Sequence, residues 1–546
     1  MTDPLPRRHS TPPRPERRYP DQLYSGWGDP AQAVQLPPAI LDLLAKGLGV
    51  KTPGHTAPAL QDIPVPESRL NQTAARTRIE QLIGAEHVTT TPVARIRHLR
   101  GKSTPDLLKL RDGDATDAPD AVVLPGTHGE VQQLLELCSE ERIAVTPFGG
   151  GTSVVGGLTP QAAQFAAAIA LDVRRLNALR ALDDESRTAT LEPGLRCPEA
   201  EELLNARGYT IGHFPQSYEY LTLGGAAAAR SSGQASAGYG RFDERVVAIK
   251  VATPRGTIEL GRAPKSAAGP DLRQLFLGSE GAFGVITELM LEVKPVPAAR
   301  VYDGWRFESF AAGAEALRAL IQDGPVPTVL RLSDEAETAL NLARPSEIGA
   351  GTARGCLAIV GYEGTAENVA ERRERVTEIL NDVGARLDAA AGQGWSEGRY
   401  RGPYLRDALL DAGALVETLE TVTFWSNLRP LYDAVGDALR QSLTEQGTPP
   451  VVLCHISHVY PSGASLYFTV AAAQANDPLG QWATAKRAAS DAIVNMGGSI
   501  THHHGIGIDH REHYAQQVGP LAIGALRAVK AELDPAGIMN PGVLIP

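Results

Sequence analysis

Cysteine is scarce in this sequence, and positive charge is not in excess. The four cysteines are spread singly over 546 residues with no C-x-x-C pair, which argues against a disulfide framework or a thiolate metal site and favours a reducing compartment. The 52 lysines and arginines are outnumbered by 63 aspartates and glutamates, giving a net charge of −11. Such a chain is not drawn to nucleic acid or to anionic membrane surfaces. We therefore expect a cytoplasmic protein with no nucleic-acid partner and at most peripheral membrane contact.

The sequence also lacks a segment with the composition of a membrane span or a secretory signal. Residues 143–171 carry no charged side chain, but their five glycines and two prolines favour a loop and a buried strand. The first twenty residues combine arginines and prolines without an apolar stretch, which predicts a disordered arm. With 43% apolar residues, the chain is too long for one hydrophobic core, so two or three domains are expected.

A β-α-β pattern opens the regular part of the chain. After a helix predicted at 36–49, a short apolar strand at 121–124 is followed by an amphipathic helix at 128–141 and a second strand at 143–146. The strand leads into the glycine loop, PFGGGTS at 147–153. Three successive glycines let backbone N–H groups converge on an anion, and the two hydroxyl groups suit a diphosphate. The alternative is a tight turn between strands.

Two further stretches are rich in small residues. The run at 224–232 would let the backbone approach an extended dinucleotide closely, although a tightly packed alanine-rich helix is an alternative. The segment GSEGAFGVIT at 278–287 would pass beside a ring system, and Val285 and Ile286 should begin a buried strand.

Five motifs occur in the order in which the vanillyl-alcohol oxidase superfamily carries them in its flavin domain. They are Gly149–Ser153, L-G-G-x-x-A around 224–225, Gly238-Tyr239-Gly240, V-x-x-P-x-G at 251–256 and GSEGAFGVIT. The chain thus resembles that superfamily, which implies an α+β fold with a two-subdomain, PCMH-type FAD-binding domain, an α+β substrate cap and non-covalent FAD. The implied divisions are an N-terminal arm and helical preamble at 1–115, the FAD domain at 116–296, the cap at 297–495 and a C-terminal segment at 496–546 that returns to the FAD domain.

The same resemblance assigns FAD contacts to four segments. The residues are Pro147, Phe148, Gly149, Gly150, Gly151, Thr152, Ser153, Gln216, Ser217, Tyr218, Glu219, Tyr220, Leu221, Thr222, Ala229, Arg230, Ser231, Ser232, Glu280, Gly281, Ala282, Phe283, Gly284, Val285 and Ile286.

Finer motifs are similar to those of alkyldihydroxyacetonephosphate synthases. They are SGWGD at 25–29, QSYEYLT at 216–222, TVLRLSDEAET at 328–338, YRGPYLRD at 400–407, CHISHVYPSGASLYFTV at 454–470 and THHHGIG at 501–507. This resemblance implies exchange of the acyl group of acyl-dihydroxyacetone phosphate for a fatty alcohol, through a flavin N5 adduct, in ether lipid synthesis. A homodimer is also expected. The alternative is a FAD-dependent 2-hydroxyacid or alcohol dehydrogenase or oxidase of the same superfamily.

The resemblance also implies roles for individual side chains. Tyr467 matches an acid/base tyrosine, and His502, His503 and His504 match a catalytic histidine triplet. Arg331 and Arg401 match active-site arginines, and a planar guanidinium such as that of Arg401 can clamp a phosphate with paired N–H bonds.

Five of the thirteen histidines lie between positions 502 and 513, so a metal site is an open alternative to proton transfer. In an extended segment, His502 and His504 would face one side. His510 and His513 would share a helix face only if a helix began near Asp509. Because no acidic pattern accompanies them, we predict no metal. On a strand, His455 and His458 would point to opposite faces, which favours His458 for the pocket and a structural role for His455.

Overall fold

The computed structural model describes residues 13–15, 20–51, 57–71, 73–159, 161–340 and 354–546. Most of the arm predicted to be disordered, residues 1–12 and 16–19, lies outside the described residues. In the described part of the chain, no helix is both long enough and apolar enough to cross a membrane. All four cysteines are buried free thiols.

Helices and strands follow one another along the whole described chain. The helices are α1 (Pro38–Gly47), α2 (Ala74–Ile83), α3 (Pro92–Arg97), α4 (Thr104–Arg111), α5 (His128–Glu140), α6 (Cys197–Asn205), α7 (Leu223–Ala229), α8 (Ser236–Tyr239), α9 (Phe242–Arg245), α10 (Phe310–Gln322), α11 (Glu335–Leu340), α12 (Ala366–Asn381), α13 (Ala389–Gly398), α14 (Gly402–Asp411), α15 (Leu428–Glu445), α16 (Pro478–Asn495) and α17 (Arg511–Leu533). The strands are β1 (Val88–Thr89), β2 (Ala121–Val123), β3 (Ile143–Phe148), β4 (Ala167–Asp172), β5 (Leu179–Asp183), β6 (Thr188–Leu191), β7 (Tyr209–Thr210), β8 (Val246–Thr253), β9 (Gly256–Leu260), β10 (Val285–Glu292), β11 (Lys294–Pro295), β12 (Ala299–Phe307), β13 (Val329–Ser333), β14 (Cys356–Gly364), β15 (Ala385–Arg386), β16 (Ala414–Phe424), β17 (Val451–Ile456), β18 (Val459–Tyr460) and β19 (Gly463–Ala473).

The predicted β-α-β unit forms, but another strand separates its two strands. Helix α5 begins after Thr127, whose side chain accepts a hydrogen bond from the amide of Glu130 and so caps the helix. Strand β3 runs two residues beyond its predicted end, to Phe148. In the sheet order β1-β2-β4-β3, strand β4 pairs in parallel with both β2 and β3. The glycine loop therefore follows the carboxyl end of a parallel strand, where α/β sheets commonly bind ligands.

An antiparallel sheet in the order β5-β6-β10-β8-β9 completes the first domain. Strand β10 begins at Val285, as predicted. The run of small residues forms the short helix α7, because Thr222 caps it by accepting a hydrogen bond from the amide of Gly225.

The cap domain is built on an antiparallel sheet of eight strands, in the order β15-β12-β14-β13-β17-β19-β16 with β18 beside β19. Helices α10, α12, α15 and α16 cover one face over a core that includes Leu330 and Leu332. Because side chains alternate along a strand, Val329 points to the opposite face, where it packs with Trp395 of α13 and Ala235 of the first domain. This second face of the sheet is turned toward the first domain.

The C-terminal segment lies against the first domain. Met539 forms a parallel bridge with Val145 of β3. The side-chain amide of Asn540 donates hydrogen bonds to the carbonyl oxygens of Gly157 and Glu280. The end of the chain is thereby joined to the GSEGAFG segment.

Candidate active site

A cavity of about 1160 Å³ lies between the loops of the first domain and the second face of the cap sheet. Its lining comes from the glycine loop, helix α7, the GSEGAFG segment, helices α1 and α13, and strands β13, β16, β17 and β19. The cavity therefore brings the predicted cofactor segments and the predicted catalytic residues to one place.

The glycine loop presents its backbone to the cavity. A Cβ atom at Gly150 would overlap the carbonyl oxygen of Tyr220, and Gly151 has a φ of +67°, so packing and conformation both require glycine. Among the described residues, the amides of Gly150, Gly151 and Thr152 have no hydrogen-bond acceptor. Unpaired amides beside a cavity are the donors that a diphosphate needs, so this loop fits FAD.

Most residues predicted to contact FAD line the cavity. They are Pro147, Phe148, Gly149, Gly150, Gly151, Thr152, Ser153, Gln216, Ser217, Leu221, Ala229, Ser231, Ser232, Glu280, Gly281, Gly284, Val285 and Ile286. The others are not part of its lining: Tyr218, Glu219, Tyr220, Thr222, Arg230, Ala282 and Phe283. Helix α7 also lines the cavity with Gly224 and Gly225, so the small-residue run is at once a packed helix and a cavity wall.

A row of four polar side chains crosses the cavity face of the cap sheet. Ser333 of β13 lies opposite His455 of β17. His455 lies opposite Tyr467 of β19, which lies opposite Glu420 of β16. The rings of His455 and Tyr467 stack with centroids 4.8 Å apart. Burial raises the pKa of Tyr467 to about 12, so its hydroxyl group keeps its proton at neutral pH.

A buried carboxylate, Glu337, joins Arg331 to this row. Arg331 donates a hydrogen bond to one oxygen of Glu337, and the other oxygen lies 2.8 Å from Nδ1 of His455. Burial alone would raise the pKa of Glu337, but the charges and hydrogen bonds of His455 and Arg331 outweigh it and lower the pKa to about 2. Arg331 therefore enters the cavity with its charge already compensated.

The histidine triplet lies in a bend, not in the extended strand that the sequence suggested. The amides of His502, His503 and His504 all donate hydrogen bonds to the carboxylate of Glu420, over 2.6, 3.0 and 2.9 Å. Thr501 donates to the same carboxylate through its hydroxyl group. Three successive amides can converge on one group only if the backbone curls around it, so no two-sided alternation of the rings is possible.

Two of the three imidazole rings form a hydrogen-bonded chain with Tyr460. Nε2 of His502 lies 2.6 Å from the hydroxyl oxygen of Tyr460, and its Nδ1 lies 2.9 Å from Nδ1 of His503. His503 and His504 line the cavity with Tyr467, whereas His502 lies behind them. Burial lowers the pKa of His504 to about 3 and also lowers that of His503, so both rings are neutral proton acceptors at pH 7.

Both His455 and His458 line the cavity, which differs from the prediction that only one could reach it. The physical reason is that β17 ends at Ile456, so strand alternation does not extend to His458. Nδ1 of His458 lies within hydrogen-bond distance of the hydroxyl groups of Ser232 (3.0 Å) and Ser236 (2.8 Å). Its ring is thereby oriented by the first domain.

The structure groups the histidines in a way that the sequence did not anticipate. Nitrogen atoms of His458, His502 and His503 lie within 4.8 Å of one another, close enough to hold a metal ion. His502, however, already shares both nitrogens in hydrogen bonds, an arrangement suited to proton transfer. Helix α17 begins at Arg511, and His510 and His513 contact Gly505 and Asp491 instead of the triplet.

The two arginines assigned to the substrate lie in different environments. Arg331 lines the cavity. Arg401 is exposed at the start of α14 and does not line the cavity, so this position does not support the predicted phosphate clamp. The cause is the turn between α13 and α14. Arg399 and Arg406, on either side of it, line the cavity instead. Arg406 lies inside the motif at 400–407 but was given no role, and Arg399 lies just outside that motif.

The fold and the cavity define the class of the protein. Residues 119–261 match the family described as FAD binding domain, and residues 296–544 match the family described as FAD linked oxidases, C-terminal domain. These matches confirm the predicted FAD cofactor and the two-domain, PCMH-type fold. The protein is a FAD-dependent enzyme.

Individual relatives narrow this class to one family. The alkyldihydroxyacetonephosphate synthase of Dictyostelium discoideum is 36% identical over 475 residues, which span 83% of this chain and 78% of that protein. The synthase of Trypanosoma brucei brucei is 33% identical over 490 residues, spanning 86% and 80%. A solved structure of alkyldihydroxyacetonephosphate synthase matches with a TM-score of 0.80 and 31% identity, covering 95% of this chain and 98% of that one. This chain belongs to the alkyldihydroxyacetonephosphate synthase family, as its motifs predicted.

Proposed function

We propose that the enzyme exchanges the acyl group of an acyl-dihydroxyacetone phosphate for a fatty alcohol and so forms an ether bond. The observation that carries this proposal is a change from polar to apolar along the cavity face of the cap sheet. Beyond the row Ser333–His455–Tyr467–Glu420, successive rows in the strand register are Leu453–Thr469–Thr418 and Val451–Ala471–Val416. All members of these two rows line the cavity.

Helix α1 supports the same proposal, because it closes the apolar end of the cavity. Ile40, Leu43 and Leu44 line the cavity, and Ile40 and Leu44 pack with Val416 of the cap sheet. A polar reacting group and a long alkyl chain would therefore find matching surroundings at opposite ends of one cavity.

The cavity contains side chains that can accept and donate the protons transferred in this exchange. The bond between the dihydroxyacetone carbon and the ester oxygen breaks, and the fatty acid leaves as a carboxylate. A new bond then forms between the same carbon and the alcohol oxygen. One proton leaves the substrate carbon and returns to it, and one leaves the alcohol. Neutral His503 and His504 can accept a proton, whereas the hydroxyl group of Tyr467 can donate one. Bound FAD supplies covalent chemistry at ring nitrogen N5 without net redox change.

We further propose that the enzyme acts in the cytoplasm and contacts membranes only peripherally. The net charge of −11 opposes electrostatic attraction to anionic lipid, whereas Leu41 and Leu43 of α1, which are 46% and 44% exposed, offer apolar side chains beside the apolar end of the cavity. The homodimer stays a prediction. Sedimentation velocity would measure the oligomeric state directly.

Product analysis tests the function. The FAD-loaded enzyme is incubated with palmitoyl-dihydroxyacetone phosphate and hexadecanol, and mass spectrometry measures hexadecyl-dihydroxyacetone phosphate and free palmitate. We expect both products in equal amounts. Absence of the ether product, together with reduction of an electron-accepting dye by a 2-hydroxyacid, would establish the oxidoreductase instead.

A further inference from the structure

The cavity-lining arginines differ in how their charge is compensated. Arg331 pairs with Glu337, and Arg406 pairs with Asp407 at 3.1 Å. Arg306 and Arg399 also line the cavity. Neither forms an ion pair with a carboxylate of the described residues, and the Nη1 atom of each is buried without a hydrogen-bond partner. Arg399 as a whole is half-buried, but an unpaired buried donor on an uncompensated cation is costly unless an anion binds to it. Of the two, Arg399 is the one whose guanidinium group contacts aromatic rings of the described residues.

Aromatic rings hold the guanidinium group of Arg399 in place. Its central carbon lies 5.2 Å from the ring centroid of Phe214, 5.5 Å from that of Trp395 and 4.9 Å from that of Tyr400. Cation–π contacts of this kind orient the planar group without using its N–H donors. The side chain of Arg399 also forms a hydrogen bond with Tyr400, whereas Nη1 has no partner. The group is therefore fixed in position with one donor left for a ligand.

A hydrogen bond joins the backbone of Arg399 to the segment that orients His458. The side-chain amide of Gln234 donates a hydrogen bond to the carbonyl oxygen of Arg399, over 3.1 Å. Gln234 lies between Ser232 and Ser236 in the chain, and both serines contact His458. A ligand group bound by Arg399 would thus lie on the side of the cavity where the reacting groups converge.

We propose that Arg399 binds the phosphate group of the substrate, with Nη1 as a principal donor. This assignment rests on the proposed function, and it replaces the clamp that the sequence motif placed at Arg401. A phosphate dianion supplies the missing counter-charge, and a planar guanidinium can donate paired N–H bonds to its oxygens.

The test compares Arg399→Gln with the matched control Arg401→Gln, two residues away on the surface. Removing a charge-assisted hydrogen bond should raise the KM for acyl-dihydroxyacetone phosphate about 10- to 100-fold. The Kd of dihydroxyacetone phosphate, measured by calorimetry, should rise equally. Binding of uncharged dihydroxyacetone, kcat and the FAD content per chain should stay near the wild-type values, and R401Q should match the wild type throughout.

Several outcomes would overturn the assignment. They are a wild-type KM in R399Q, a raised KM in R401Q, or loss of FAD from R399Q, which would place the cofactor diphosphate at Arg399 instead. If R399Q does not fold, Arg399→Met keeps the apolar contacts with the rings and decides the question by the same measurements. If phosphate binding depends on Arg399 but the enzyme forms no ether product, the proposed function is refuted and the phosphate site stands. If the enzyme forms the ether product and R399Q has an unchanged KM, the phosphate site is refuted and the proposed function stands.

Discussion

Glu420 lies directly opposite Tyr467 in the pairing of β16 with β19, and its carboxylate binds the amides of all three histidines of the triplet. One buried side chain thus sets the position of the histidine bend relative to the tyrosine. Burial would raise the pKa of Glu420, but electrostatic interactions with His503 and His504 and the hydrogen bonds of the bend outweigh it and lower the pKa to about 2. The carboxylate is therefore ionised at neutral pH and attracts the bend.

Replacing this carboxylate should loosen the bend. In Glu420→Gln, an NH₂ group takes the place of one acceptor oxygen, and buried amides lose their partner at a cost of about 1–3 kcal/mol each. We expect kcat to fall about tenfold or more with little change in KM, because the histidines lose their position. Glu417→Gln, a buried carboxylate on the same strand that binds Thr104 instead, should keep its kcat. An equal loss of kcat in both variants would show that Glu420 has only a structural role.

The hydroxyl group of Tyr467 can be removed without disturbing its ring. Tyr467→Phe keeps the stacking on His455 but cannot donate a proton, so kcat should fall about 10²- to 10⁴-fold while the FAD content stays the same. Tyr432→Phe serves as the control, since Tyr432 packs against Phe468 in the cap core. Stopped-flow and steady-state assays of ether formation measure both. A wild-type kcat in Y467F would rule out Tyr467 as the proton donor.

Acid should destabilise the enzyme through Glu337. Its pKa is about 2 in the folded protein and about 4.3 in an unfolded chain. The lower folded value means that the ionised form stabilises the fold above about pH 4.3, and that this contribution is lost as the pH falls toward about 2. Thermal melting from pH 7 to about pH 3 should show a weaker pH dependence in Glu337→Gln than in the wild type. Glu374→Gln, at an exposed position on α12, should retain the wild-type dependence, and an equally reduced slope there would contradict the assignment.

The apolar rows should control chain length. In Ala471→Phe, the larger ring occupies the cavity between Val451 and Val416 and excludes part of a long alkyl chain. Each excluded methylene forfeits about 0.8 kcal/mol, or about fourfold in kcat/KM. We expect a large loss with hexadecanol and a small loss with octanol, measured in the same preparation. Equal losses with both alcohols would place the chain elsewhere.

The glycine loop should tolerate no side chain at Gly150. Gly150→Ala would push a methyl group into the carbonyl oxygen of Tyr220 and move the amides that fit the diphosphate. We expect loss of FAD, seen as loss of visible absorbance from the purified protein. Gly524→Ala in α17, where a Cβ atom meets nothing within 4 Å, should stay yellow and gain slightly in stability. Full FAD content in G150A would show that the loop does not hold the cofactor.

The sequence predicted well those features that depend on neighbours along the chain. Helix α5 and the start of β10 follow from hydrophobic periodicity and from capping residues within a few positions. The glycine loop follows from three consecutive residues. The order of the motifs was sufficient for the family and the cofactor, because each motif is a continuous stretch of backbone near FAD.

Only the tertiary structure decided which polar side chains meet. Glu420 binds His502 from 82 positions away, and Glu337 reaches His455 across 118 positions. Glu337 lies inside the motif at 328–338 and Glu420 in none of the motifs, and a carboxylate buried on a strand or a short helix leaves no local pattern that assigns it a role. From the sequence alone, Arg399 and Arg401 are equally plausible phosphate ligands. The turn between two helices decides which of them faces the cavity. The sequence by itself determined the family and the cofactor, whereas the positions of the proton-transfer and phosphate-binding groups depend on packing between distant segments, since only packing buries a charge and supplies its partner.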